Sequence, residues 1–215
     1  MFDEITYRAV LSELHDKAVL CAVSKMHTAE EIQTAYDLGQ RIFAENKAAE
    51  LSSKAEALPK DIEWHFIGHL QRNKVKQVLP HVSLIQSLDS KRLADEIEKE
   101  AAKLNRTVSC LLEFHLAEAD TNKTGLDPKD AEEMLEYCQK LPHIRIKGIM
   151  AMGPHTEDEQ EIETVFARGA ALFQSLQKKD PSLTVLSMGM SDDYPIAVKA
   201  GANMVRIGSR LFKGD

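Results

Sequence analysis

A lysine that ends an apolar run is a candidate for amine chemistry, and Lys25 ends one: residues 19–25 read VLCAVSK. At the rim of a water-poor cavity, loss of water favours the neutral amine, which can attack a carbonyl and form a Schiff base. Lysines also commonly finish strands by reaching out to solvent, so both accounts stay open. A second feature lies far along the chain. Residues 185–193 (VLSMGMSDD) and 204–212 (MVRIGSRLF) each pair a glycine with serines at the end of an apolar run. Gly208 allows close backbone approach, and Ser209 can cap the following turn and donate to a phosphate oxygen. A Gly-Ser pair also simply makes a tight turn. Arg206 is the third feature: it interrupts a run in which Val205 and Ile207 point one way and Arg206 the other. A buried guanidinium must find an acceptor, either a carboxylate in a structural network or a ligand atom.

Those residues need a frame that brings distant positions together. Eight short apolar runs could supply it: residues 19–25, 41–46, 64–68, 84–88, 108–114, 147–152, 185–191 and 204–208. Most are apolar on consecutive positions, as expected for strands buried on both faces. Helical spacings lie between them. Leu93, Ile97, Ala101 and Leu104 recur on one face, and Ile162, Val165, Phe166, Gly169, Leu172, Phe173 and Leu176 form a longer stripe. Ala131, Met134, Leu135, Cys138 and Leu141 do the same. Thr28 with Glu31 predicts a capping box opening a helix to about Leu38, with Gly39 placed to stop it. Residues 2–17 read as a further helix before the first strand. Eight β/α alternations imply parallel strands joined by crossover helices. The stretch AVSKMHT after the first strand holds no glycine, which counts against a dinucleotide-binding sheet. The expected fold is α/β, a (β/α)8 TIM barrel with an extra N-terminal helix, residues 1–215 forming a single domain with its site at the C-terminal face. In such a mouth, the loops after strands seven and eight often bind phosphate. Lysine, phosphate loop and inward arginine together suggest pyridoxal 5′-phosphate (PLP).

Other residues point less far. His65 and His69 are four apart, but HFIGH lacks the glutamate of HExxH, so no metal is expected. Met150, Met152, Met188, Met190 and Met204 suit adaptable core packing or a loosely shaped cofactor pocket. Asp192 and Asp193 precede Pro195 at an expected helix start, where acids are welcome. Residues 157–163 (EDEQEIE) read as the solvated start of a helix. Lys123 with Gly125 in NKTG could approach a substrate carboxylate, or be a loop lysine in solvent. Lys+Arg 27 against Asp+Glu 34 gives a net charge of −7, so nucleic acid is not an expected partner. Cys21, Cys110 and Cys138, with no CxxC, read as reduced, buried thiols. The N-terminus MFDEITYRAV is not a secretory signal, and no apolar run approaches the ~18 residues of a membrane helix. A cytoplasmic protein without membrane attachment is expected.

Several motifs carry a resemblance. AVSK at 22–25, AEN at 44–46, WHFIGHLQRNK at 64–74, GIMAMG at 148–153, LSMGMSDD at 186–193 and MVRIGS at 204–209 occur in that order. Over nearly the whole chain the sequence resembles the PLP homeostasis proteins, single-domain relatives of the alanine racemase barrel. The resemblance implies that Lys25 forms the internal aldimine with PLP. It places Ser191, Gly208 and Ser209 at the phosphate and Arg206 against the pyridine nitrogen. It also implies that Asn46 and Met188 to Met190 line the cofactor, with His65 near its ring. Ala44 stands where the family usually has glycine, and Lys47 where an aromatic is frequent.

An arginine facing the ring nitrogen disfavours protonating it, which makes the ring a poorer electron sink. Transamination is therefore disfavoured, while two-base racemisation requires a second acid/base opposite Lys25. In the racemases a tyrosine from a further domain supplies it, and this chain is expected to lack that domain. The leading expectation is a monomeric PLP-binding protein of intracellular PLP homeostasis, with amino acids and PLP-dependent apoenzymes as further partners and no catalytic residue assigned. The alternatives are a PLP-dependent amino-acid racemase and a phosphate-binding barrel without PLP.

Overall fold

A computed structural model of the chain describes residues 1–117 and 124–213. Lys123, paired above with Gly125, lies outside the described residues. The eight apolar runs form β1 (Val19–Val23), β2 (Ile42–Glu45), β3 (Glu63–Phe66), β4 (Val82–Leu88), β5 (Val108–Phe114), β6 (Ile144–Ala151), β7 (Val185–Ser187) and β8 (Met204–Ile207). All pair in parallel and in chain order, and β1 also pairs β8, which closes the barrel.

The helices follow from the spacings and caps. α1 (Glu4–Leu14) precedes the barrel and starts at Asp3, whose carboxylate accepts from Thr6 N at 3.0 Å. α2 (Ala29–Asp37) opens on the expected capping box: Thr28 Oγ1 accepts from Glu31 N at 3.3 Å, and Glu31 Oε2 accepts from Thr28 N at 2.9 Å. Gly39, at φ 104°, turns the chain out of it. Then come α3 (Ala48–Ala57), the short α4 (Val75–Val78), α5 (Lys91–Lys103), α6 (Ala131–Gln139), α7 (Glu159–Lys179) and α8 (Tyr194–Lys199). The stripe on α5 buries Leu93, Ile97 and Ala101, and that on α7 buries Ile162 through Leu176 against the strands.

Strand parity divides the core in two. Leu20, Ala22, Val205 and Ile207 face the helices, while Cys21, Val23, Leu111, Met150 and Met204 fill the barrel. Arg206, buried between two outward-facing neighbours, therefore points into the barrel. Most strands stop short of the apolar runs that announce them. β7 ends at Ser187 because Gly189 takes φ 91°, and a side chain there would sit 2.8 Å from Tyr194 Cα. β1 ends at Val23, which puts Lys25 in a turn beyond the strand. All three cysteines are buried and unpaired. Among the described residues no helix is long and apolar enough to cross a membrane.

Candidate functional site

The C-terminal strand ends surround a cavity of about 380 Å³ lined by Lys25, Asn46, Ser191, Arg206, Gly208 and Ser209, among others. That volume falls within the about 300–1,000 Å³ typical of small-molecule sites. Two glycines set its walls. A Cβ at Gly68 would lie 2.3 Å from Asn46 O, and one at Gly208 would lie 3.0 Å from Val23 O. The backbones of β2 and β3, and of β1 and β8, thus close up at the rim as larger residues would not allow. The loops after β7 and β8 meet through Ser209 Oγ, which donates to Ser191 Oγ at 2.9 Å. Asn46 Oδ1 is buried and accepts no hydrogen bond within the described structure. A buried acceptor left open in a cavity wall fits a ligand donor.

Below the cavity a directed hydrogen-bond chain runs across the barrel. Arg206 Nη1 donates to Ser187 O at 2.9 Å and to Ser187 Oγ at 2.7 Å, while Nη2 donates to Ala151 O at 2.9 Å. Arginine only donates, so Ser187 Oγ accepts there and donates onward to Gln86 Oε1 at 2.7 Å. That fixes the amide of Gln86, whose Nε2 faces His65 Nδ1 at 2.9 Å. His65 Nδ1 must therefore accept, which leaves the imidazole neutral with its proton on Nε2. Burial pushes the His65 pKa down to about 4 and the neighbouring Cys21 thiol up to about 12. Burial also pushes the Arg206 guanidinium down from its usual range. Among the described residues no carboxylate lies within ion-pair distance of it. The acceptor the sequence demanded is thus main-chain carbonyl and serine, with the Asp193 and Glu113 carboxylates favouring the charge only from beyond ion-pair distance.

Six of the eight sequence-derived site residues line this cavity: Lys25, Asn46, Ser191, Arg206, Gly208 and Ser209. His65 and Met188 do not. His65 sits deeper, bonded to Gln86. Met188 packs outward: a Cβ on Gly169 of α7 would meet its sulfur at 2.5 Å. Its place is the helix-facing core, because strand alternation turns Leu186 and Met188 outward and Ser187 inward. Lys25 is exposed, so the water-poor setting expected of it is not there. His65 and His69 diverge, His69 meeting Asp89 at 3.1 Å. A larger cavity, about 610 Å³, opens beside Leu116, Arg168 and Leu172 and holds none of the eight residues. The sequence reading missed Gln86, Ser187 and Gly68. A polar residue inside an apolar run, as in LIQSL, was the available signal for the first.

Residues 6–215 match the family described as alanine racemase, N-terminal domain. A pyridoxal phosphate homeostasis protein of Aquifex aeolicus is 41% identical over 197 residues, covering 91% of this chain and 86% of the relative. The chain belongs to the pyridoxal phosphate homeostasis protein family. Among solved structures, PipY of Synechococcus elongatus has been solved without and with PLP bound. Those structures superpose with TM-scores of 0.92 and 0.89 at 37% and 36% identity, each covering 97% of this chain and 98% of the other. The alanine racemase of Clostridium difficile shares the fold, with TM-score 0.78 at 16% identity over 58% of its length. The eight-stranded barrel and preceding helix expected from the sequence are thus present, in a fold shared with PipY.

Proposed function

We propose that this protein binds PLP in the barrel mouth, attached through Lys25, and passes it to PLP-dependent apoenzymes in the cytoplasm, acting as a single-domain monomer in PLP homeostasis. One observation carries the reading: a primary amine, a paired serine hydroxyl site and a buried guanidinium converge on one cavity whose wall also holds the open acceptor of Asn46. The PLP-bound relative supports it.

The residues present fit the group. When bound, PLP supplies an electrophilic aldehyde and an electron-accepting ring. Lys25 offers its Nζ from an exposed turn for covalent attachment. Ser191, Ser209 and the Gly208 backbone would hold the phosphate, where charge-assisted hydrogen bonds are the strong ones. Arg206 cannot swing toward or away from the ligand freely, because Ser187 and Ala151 hold three of its five donor bonds. It presents a fixed positive charge, which would disfavour protonation of a facing ring nitrogen and lower the ring's capacity to accept electrons. Met190 and Met152 flank the cavity and His65 steadies the interior beneath it. Free amino acids would compete for the attached carbon as small amines.

Purified protein mixed with PLP should show a visible absorbance band that borohydride fixes onto Lys25. An unchanged band in Lys25→Ala would overturn the proposal. A chiral assay across a panel of amino acids separates carrier from racemase: turnover of about 1–10³ per second, lost in Lys25→Ala, would favour the enzyme.

A further inference from the structure

The turn carrying Lys25 is held from both sides by residues of which only Glu45 falls in a motif, and none carries an assigned role. Met26 adopts φ 68°, a left-handed conformation that residues other than glycine disfavour. Such a conformation persists only where surrounding contacts over-determine it. Here they come from α3 and the end of β2. Lys54, nearly buried on α3, donates from Nζ to Ser24 O at 2.8 Å, to Glu45 Oε1 at 2.8 Å and to Glu50 Oε2 at 3.2 Å. Those bonds use all the ammonium protons. Glu45 Oε1 also accepts from Ser24 Oγ at 2.6 Å, and Glu50 Oε2 accepts from Met26 N at 2.9 Å. The residue before Lys25 is thus bonded to Lys54 and Glu45, and the residue after it to Glu50. Lys54 ties the two carboxylates to each other.

We infer that Lys54, Glu45 and Glu50 form a positioning unit that holds the Lys25 amine over the cavity, an assignment that rests on Lys25 being the attachment residue for PLP. Lys25 itself makes none of these bonds. Its side chain stays exposed while the backbone on either side is pinned, which separates the aim of the amine from its accessibility. The unit also reaches the cavity wall, because Glu45 directly precedes Asn46 and α3 begins just beyond it. A cluster that merely stabilised the barrel would have no reason to bond the main chain of both neighbours of one exposed lysine.

The test uses the whole chain with Glu50→Ala, Glu50→Gln and Lys54→Met. One readout is hydrogen exchange at the Met26 amide without PLP, and the other is PLP affinity and absorbance. Glu50 is only half-buried, so Glu50→Ala should fold with little change in Tm. In it, Met26 exchange should quicken about tenfold and PLP should bind about tenfold more weakly. Glu50→Gln keeps an oxygen for the Met26 amide and should recover part of both effects. Lys54→Met should weaken binding at least as much; if it does not fold, the Glu50 pair decides. PLP affinity unchanged in Glu50→Ala overturns the inference, even where exchange quickens. If instead the wild-type chain shows no band with PLP and borohydride fixes nothing to Lys25, the PLP reading fails. Unaltered Met26 exchange in Glu50→Ala would then remove the clamp as well.

Discussion

Acidification should destabilise this barrel through His65, by an amount the structure allows one to work out. The imidazole is buried, and burial lowers its pKa from 6.5 to about 4. The unfolded chain therefore binds a proton at His65 between those values while the folded chain does not. Stability falls as pH drops through 6.5 and levels off below about 4. At 1.36 kcal/mol per unit, the full penalty is about 3 kcal/mol, of which about 2 kcal/mol develops between pH 7 and pH 5. Glu45 and Glu113 oppose this, since burial raises both carboxyls and acid relieves their cost. A double difference removes them: denaturant unfolding of wild type and His65→Gln, each at pH 7 and pH 5. Glutamine is neutral at both and keeps an acceptor for Gln86. Wild type should lose about 2 kcal/mol more than the variant across that interval, or about 4–8 °C in Tm. Equal losses would refute the reasoning, as would a ring NMR titration showing His65 half-protonated near pH 6.5.

Gly68→Ala should destabilise by about 1–3 kcal/mol, because the added methyl meets backbone at Asn46; thermal melting checks it, and an unmoved Tm would show the rim relaxes freely. Glu113→Gln should raise Tm at pH 7 and by less at pH 4. The folded pKa of Glu113 is raised by burial, so its ionised form is the costly one, and glutamine still accepts from Thr124 Oγ1, now at 3.1 Å. Melting curves at both pH values test the sign. The double substitution Ser191→Ala with Ser209→Ala should weaken PLP about tenfold while leaving unphosphorylated pyridoxal nearly unaffected. Equal losses for the two ligands in titration would place the phosphate elsewhere.

How far the sequence could be read depended on the range of the signal. The barrel was legible because each strand is a local apolar run and each helix a local stripe: Thr28 with Glu31 caps α2, and α7 buries the stripe seen at Ile162 to Leu176. Arg206 pointed inward by parity alone. Met188 obeys the same parity, outward with Leu186 while Ser187 turns inward, so its expected place at the cofactor came from the resemblance and not from the strand pattern. The partners of Arg206 were out of reach for another reason. They lie on β6 and β7, and nothing near Ser187 or Ala151 in the chain marks a carbonyl as the acceptor of a distant guanidinium. Lys54 likewise sits on an ordinary-looking helix, and only the packing of α3 against the β1 turn gives it three oxygens.

The contrast between Arg206 and Lys25 bears on whether the mouth suits a carrier or a catalyst. Arg206 is buried and fixed by three bonds, whereas Lys25 is exposed on a turn. A ligand spanning the two would have its ring end held rigidly and its covalent end facing solvent. Catalysis of proton transfer at that end gains from excluding water and from a second group placed opposite the lysine. Exchange gains from the opposite arrangement, because an incoming amine from solvent or from another protein must reach the attached carbon. The fixed guanidinium argues the same way, since an unprotonated ring is less able to stabilise a carbanion and leaves the covalent bond as the main chemistry available. The inferred clamp of Lys54, Glu45 and Glu50 would then keep an exposed amine aimed without enclosing it. On the proposed reading, a mouth that holds the ring, orients the lysine and leaves the carbon accessible would serve release better than turnover.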